Sequence, residues 1–296
     1  MVSDLYRKLL PLSTRKVIYD SFLGEIVFFV RNFQVIAKSK FTFLFSSLLP
    51  KTEENKAFSF IGRHGITSYP DEYMLEYQKL KINVERDLTQ NLPYVNHGGK
   101  KLYFPEFYKD EKVIKDYRAL LIERDVRSAH RYVKDYNDLK GKTLLDVGAA
   151  EGIFSLDTIE LTLQVIIFEC EEHWLKPLRA TFAPWEHKVT FIKKYVGNKS
   201  EGNFITIDEF LADRSRENLF IKMDIEGAER KALEGADTTL RLGKNIQLAV
   251  CTYHRPGDPE YMENLLSEYG YSIEFSDGLL YWNKRVSKAV IRCKKN

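Results

Sequence analysis

Thr143-Leu144-Leu145-Asp146-Val147-Gly148-Ala149-Ala150-Glu151-Gly152 is the stretch whose reading decides the fold. A mainly apolar run ends at an acid, breaks into a loop of small residues and re-enters as Ile153-Phe154-Ser155-Leu156, where a helix can start. Small side chains let the backbone of such a loop approach a ligand closely. Open α/β sheets take their ligands outside the carboxyl ends of the strands, where the strand order reverses. Asp146, Gly148, Ala150, Glu151 and Gly152 are therefore candidate cofactor contacts. Glu169, 17 residues after Gly152, closes a second apolar run, and a carboxylate there can accept both hydroxyls of a ribose. Val196, beyond the third run, joins the set.

A nicotinamide dinucleotide site shares the strand, the loop and the later acid, but it wants G-x-G-x-x-G. Here Ala150 takes the second glycine position, where a pyrophosphate would press on the backbone. A nucleoside ligand without phosphates, such as S-adenosylmethionine, fits better.

Outward from this loop the pattern is regular. Apolar runs at 143–147, 165–168, 189–192, 219–223, 247–252, 271–275 and 289–292 give seven predicted strands. Helix-forming stretches such as 174–182, 207–212 and 229–234 separate the first five, which reads as a parallel α/β sheet. The last two strands, joined through Gly278 and Trp282 without a helix, predict an antiparallel hairpin at the sheet edge. The whole is a Rossmann-like, mostly parallel seven-stranded sheet over residues 140–296.

Residues 1–139 read as an accessory extension on the acceptor side. Gly98-Gly99 between β-prone runs predicts a hairpin, and periodic apolar residues predict a helix from Val113 to Tyr132. Residues 1–50 carry seven Lys or Arg and seven Phe. Apolar residues at helical spacing predict a cap packing its phenylalanines on the main domain. The competing expectation is a peripheral membrane contact, with basic residues at the headgroups and aromatics below. Glu25, Arg31, Lys38 and Lys40 interrupt 22–49 too often for a spanning helix, and no apolar run with a cleavage site marks a secretory signal.

The 44% hydrophobic and 29% charged composition is that of a folded, soluble enzyme rather than a disordered or membrane-spanning chain. A formal net charge of +3 is too small for a nucleic-acid binder, so none is expected as partner. Cys170, Cys251 and Cys293 lack zinc or disulfide spacing and read as reduced thiols, which places the chain in the cytoplasm, with the inner face of a membrane as the alternative.

A second signature is Leu219-Phe220-Ile221-Lys222-Met223-Asp224-Ile225-Glu226-Gly227-Ala228-Glu229, a strand running straight into three carboxylates. Asp224 falls where the fourth strand opens into the cleft. Glu229 suits the positive N-terminus of the following helix. With Thr206-Ile207-Asp208-Glu209-Phe210 upstream, the segment resembles the FkbM family of methyltransferases, whose hallmark is I-D-V-E-G-A-E preceded by a T-L-D-D-L-like stretch. The resemblance covers roughly residues 140 to 255. It implies a class I methyltransferase fold, S-adenosylmethionine as methyl donor and O-methylation of a hydroxyl, on a small molecule or a carbohydrate acceptor such as a sugar in polysaccharide or glycoconjugate biosynthesis. Ile225 replaces the commoner valine, and Cys251-Thr252-Tyr253-His254 stands where many members end in Glu-x-His.

An alcohol becomes a good nucleophile only as its proton leaves, so a base titrating near neutrality is useful, and histidine needs no tuning for that. His254, just past the fifth strand, is the first candidate; His130 is the second, and Asp224 could orient the base or hold the acceptor. Glu226, Arg255, Asp258 and Arg127 are candidate acceptor contacts. A divalent metal on Asp224 with Glu226 or His254 would also acidify the hydroxyl, but the usual cluster of neighbouring acids is missing and no metal is expected. The rival from another class is a non-catalytic module that keeps the fold and binds a partner in polysaccharide assembly.

Overall fold

The structure, a computed structural model, describes residues 22–295, with side chains from Ile26 onward. Helices α1 (Phe22–Leu44), α2 (Glu53–His64) and α3 (Tyr73–Gln78) lead into an antiparallel sheet of β1 (Glu85–Asp87), β2 (Leu92–His97) and β3 (Lys100–Tyr103), followed by α4 (Asp110–Glu123). Gly98 and Gly99 join β2 to β3 with φ of +57° and +85°, the paired left-handed geometry of a tight hairpin turn. Helix α4 stops nine residues short of the expected Tyr132. The Asp125 carboxylate accepts from the Arg127 amide at 2.8 Å and its carbonyl from the Ser128 amide at 2.9 Å, a local turn that competes with helix continuation. Residues 124–132 consequently run as turns.

The chain continues through β4 (Thr143–Val147), α5 (Ile153–Thr158), β5 (Gln164–Phe168), α6 (Glu172–Phe182), β6 (Val189–Ile192), the short separate pair β7 (Tyr195–Val196) and β8 (Phe204–Ile205), α7 (Ile207–Phe210), β9 (Leu219–Met223), α8 (Glu229–Glu234), α9 (Asp237–Leu242), β10 (Ile246–Cys251), α10 (Asp258–Glu268), β11 (Ser272–Phe275), β12 (Leu280–Trp282), β13 (Arg285–Ser287) and β14 (Val290–Lys295), seven of whose strands form the main sheet. Its order is β11-β14-β10-β9-β4-β5-β6. Strands β4, β5, β6, β9 and β10 are parallel; β14 is antiparallel to both neighbours. The last two strands thus pair antiparallel, as the sequence indicated, but β14 inserts between β10 and β11 instead of adding outside them. The connection holds its own ribbon, β12 with β13.

Both sheet faces are covered, so the strands read as continuous apolar runs. Alternate residues go to opposite sides. Leu144 and Phe220 pack with Phe154, Leu178 and the hairpin's Val95 and Leu102; Leu145 and Ile221 pack with Phe210, Leu240 and Leu266. This is the Rossmann-like class I methyltransferase arrangement. Its order reverses at β4, which places the Gly148–Gly152 loop at the crevice.

Asp157 on α5 ties the extension to the sheet. It accepts from Tyr136 Oη at 2.9 Å, meets His97 Nε2 at 2.6 Å and pairs with the buried Arg124. Burial pushes its carboxyl up, but His97, Arg124 and Tyr136 outweigh that and hold it down at about 2. Its folded value lies below the unfolded one, so this stabilisation is present above about pH 4 and lost as pH falls toward 2. Asp157→Ala leaves Arg124 buried without its counter-charge and is expected to cost about 3 kcal/mol, read from urea unfolding.

Candidate functional site

At the end of β4 the backbone alternates into the left-handed region, with φ of +79° at Gly148, +47° at Ala150 and +74° at Gly152. Gly148 is required sterically as well: a Cβ there would lie 2.1 Å from the Asp224 carbonyl oxygen. Beside it opens a cavity of about 410 Å³, within the range of small-ligand sites. Gly148 and Ala150 form one wall, Glu169 and Val196 another, and Asp224 and Glu226 one end. Tyr195 and Phe204, 46% and 50% exposed with rings 5.4 Å apart, add an aromatic wall that no motif marks, although Tyr195 adjoins Val196.

Glu169 fits the role of ribose acceptor. Its Oε2 accepts from the Ala150 amide at 2.9 Å and its Oε1 from the Glu171 amide at 2.7 Å, which fixes the carboxylate and leaves each oxygen a further lone pair. Glu169→Ala removes both anchors of the loop and the ribose acceptor. S-adenosylmethionine affinity should fall roughly 100-fold by calorimetry, the worth of about two hydrogen bonds to a charged group.

Three expected contacts stand elsewhere. Asp146 is fully buried beneath the loop, with Oδ2 accepting from Ser155 Oγ at 2.6 Å and Oδ1 3.0 Å from Lys222 Nζ; its charge is used inside the protein. Gly152 faces α6, where a Cβ would come within 2.7 Å of Leu178, so it serves helix packing. Glu151 does not line the cavity; burial pushes its carboxyl up to about 7, with Glu123 and Asp116 adding to the rise.

At the Asp224 end three segments converge. Asp224 Oδ2 accepts from Tyr132 Oη at 2.8 Å and lies 3.6 Å from His130 Nε2, while Oδ1 lies 3.6 Å from His254 Nε2. Burial pushes this carboxyl up, but His130, Lys222 and His254 outweigh it and hold it below the usual carboxylate range. His130 has both nitrogens engaged: Nδ1 lies 2.7 Å from Glu123 Oε1, and Nε2 lies 3.2 Å from Tyr253 Oη. With its ring turned onto Glu123, Tyr253 and Asp224 it acts on Asp224.

His254 differs. Its Nδ1 is 2.8 Å from Glu229 Oε1, which also accepts from the Ile225 amide at 2.9 Å. Oε1, which accepts from the amide, serves as acceptor here too, so Nδ1 carries the proton and the neutral ring keeps its lone pair on Nε2. That buried nitrogen has no hydrogen-bond partner and faces Asp224 Oδ1 and, at 3.8 Å, Glu226 Oε2. Burial pulls the ring's pKa down, but Glu229, Asp224 and Glu226 outweigh it and raise it above the usual 6.5. Glu229, fully buried, is thus a partner of His254 as well as a helix-start acid. Glu226 sits at φ +54° with its side chain 81% exposed at the cavity end, and Gly227 lets Arg255 and His254 close over the turn.

Arg255 is exposed beside this turn. Asp258 is not available to a ligand: it is buried, accepting from Arg230 Nε at 2.6 Å and the Arg255 amide at 3.1 Å. Arg127 lies away from the cavity, forked onto Glu76 at 2.9 Å and onto Asp125.

The sequence profile described as Methyltransferase FkbM domain matches residues 87–273. No curated protein sequence matches. Among solved structures the chain is similar to precorrin-6Y C5,15-methyltransferase from Geobacter metallireducens (16% identity over 54% of this chain and 86% of that one, TM-score 0.37). It is also similar to the ribosomal protein L11 methylase of Lactobacillus delbrueckii subsp. bulgaricus (13%, 56% and 79%, TM-score 0.36) and to Trm5b from Pyrococcus abyssi (15%, 70% and 56%, TM-score 0.40). The profile spans more than half of the chain, including the Gly148–Gly152 loop, Glu169 and the Asp224–Glu229 turn, and the protein belongs to the FkbM family of methyltransferases.

Proposed function

We propose that the protein transfers a methyl group from S-adenosylmethionine to a hydroxyl oxygen, with a sugar of a glycan or glycoconjugate as the favoured acceptor. The observation that carries the reading is His254: a buried imidazole held by Glu229 through Nδ1, with its Nε2 unpartnered and 3.6 Å from Asp224 at the end of the cofactor cavity. S-adenosylmethionine, when bound, supplies an electrophilic methyl on a sulfonium. The protein's own work is to hold and deprotonate the acceptor. Gly148, Ala150, Glu169 and Val196 would hold the donor. His254 Nε2 takes the hydroxyl proton, and the imidazolium so formed is stabilised by Glu229 on one side and Asp224 on the other. Glu226 and Arg255 offer an acceptor and donors for neighbouring hydroxyls, and Trp282, 6.2 Å from the His254 ring, offers an apolar face for a sugar. The extension contributes Tyr132 to Asp224, which supports a part for it in shaping the acceptor side.

Transfer of labelled methyl into a panel of glycans and small alcohols tests the reading. Label appearing only on nitrogen, carbon or sulfur would reject it, and no binding of S-adenosylmethionine would favour the non-catalytic alternative. Chelators should leave the rate unchanged. A loss restored by a divalent cation would move deprotonation to a metal held by Asp224, Glu229 and His254, whose donor atoms lie within 4.8 Å of one another.

A further inference from the structure

Helix α1 packs on the body through one face and turns an apolar stripe the other way. Val35, Ser39 and Thr42 are buried against the body, with Gly62 of α2 so close to the Ser39 carbonyl that a Cβ would lie 2.2 Å away. On the opposite side Ile26, Val30, Phe33, Ala37, Phe41 and Leu44 recur every 3.6 residues on average, the helical period, and so line up in one straight stripe. Val30 is 68% exposed, Phe33 and Phe41 are 56% and Leu44 is 71%. Phe28, Phe29, Phe33, Phe41 and Phe45 stay exposed instead of packing on the main domain as expected. Among the described residues nothing covers the stripe.

Charge selects the occupant. Between Ile26 and Thr52 there is no acidic residue, and Arg31, Lys38, Lys40 and Lys51 all fall within this span, Lys38 reaching Glu54 of α2 at 2.7 Å and Lys40 the Gly62 carbonyl at 2.8 Å. A second copy docking through the same stripe would set these cations against their like. An anionic surface attracts them instead, each contributing near a headgroup layer. None of the described helices is long and apolar enough to cross a membrane. We propose that α1 lies in the interface of an anionic lipid bilayer, its outward stripe below the headgroups, with Arg31 and the nearby Lys51 at the headgroup layer. The inner face of α1 is tied to the acceptor end: Val35 clusters with Phe58, Ile61 and Tyr281 of β12, and the next residue, Trp282, lies against His254. If the reaction is that proposed above, docking holds the His254 end of the site to the bilayer, as suits an acceptor carried on a lipid.

Cosedimentation of the full chain with vesicles tests the docking without any assay of catalysis. Vesicles of phosphatidylglycerol and phosphatidylcholine should retain it, phosphatidylcholine alone should retain it far less, and added salt should release it. Phe33→Asp/Phe41→Asp changes only exposed side chains and should weaken retention roughly 100-fold, with S-adenosylmethionine affinity unchanged as the check on folding. Equal retention by neutral vesicles, or none by either, overturns the proposal. A dimer in sedimentation velocity that Phe33→Asp/Phe41→Asp converts to monomer, with no vesicle retention, assigns the stripe to a second copy.

Discussion

Replacing His254 with alanine is expected to slow methyl transfer about 1,000-fold, the usual loss on removing a positioned general base, while S-adenosylmethionine binds as before. The separation follows from geometry: Gly148, Ala150, Glu169 and Val196 line the donor cavity, whereas the charged neighbours of His254 are Glu229, Asp224 and Glu226. A base works as the neutral ring. Because Glu229, Asp224 and Glu226 raise the His254 pKa above 6.5 despite burial, the rate should climb as pH rises through that elevated value and level off above it. Glu229→Gln removes the largest of these raising influences, so the climb should move toward acid pH and its plateau should drop, since the ring loses its orientation. An unchanged profile in Glu229→Gln would show that the pair does not control the reacting proton. A His254→Ala enzyme at full rate would remove the base from the mechanism altogether.

The sequence carried the parts of this site that are local and hid those that depend on distance. The Thr143–Gly152 strand and loop were legible because one short segment holds the strand, the turn residues and the helix start. The Asp224–Glu229 turn was legible for the same reason. Glu229 was half read: its place at the first turn of α8 already explains an acid there, so nothing pointed to a histidine 25 residues on. Asp258 and Arg127 are candidate acceptor contacts in the sequence, yet Arg230, Glu76 and Asp125 engage them first. Helix α1 misled differently. Periodicity finds an apolar stripe but not which side of the helix the body occupies, and here the less aromatic face of Val35, Ser39 and Thr42 won because Gly62 admits its backbone so closely.

Asp146 poses the sharpest case, and Lys222→Met should resolve it with a loss of about 4 kcal/mol in unfolding free energy. Lysine in the middle of Leu219-Phe220-Ile221-Lys222-Met223, a strand buried at every position, has no sequence-local explanation. Its partner is Asp146 on the adjacent strand, directly opposite in register, with Nζ 3.0 Å from Oδ1 and donating also to the Gly148 carbonyl. Burial pulls the ammonium's pKa down, yet Asp146 and Asp224 outweigh it and push it well above its usual value, so Lys222 keeps its charge at neutral pH. Removing the ammonium strands the Asp146 charge at 1% side-chain exposure. That isolated charge, rather than the lost attraction, sets the cost. Lys222→Met/Asp146→Leu abolishes both charges and should recover most of the loss, although Ser155 loses its acceptor. If Asp146 instead served mainly as a donor-site ligand, Lys222→Met would change stability by no more than about 0.5 kcal/mol, and Asp146→Leu alone would cost binding without costing stability. The ion pair predicts the reverse order: stability falls first, and affinity for S-adenosylmethionine falls only as far as the Gly148 carbonyl, freed of its donor, lets the loop shift.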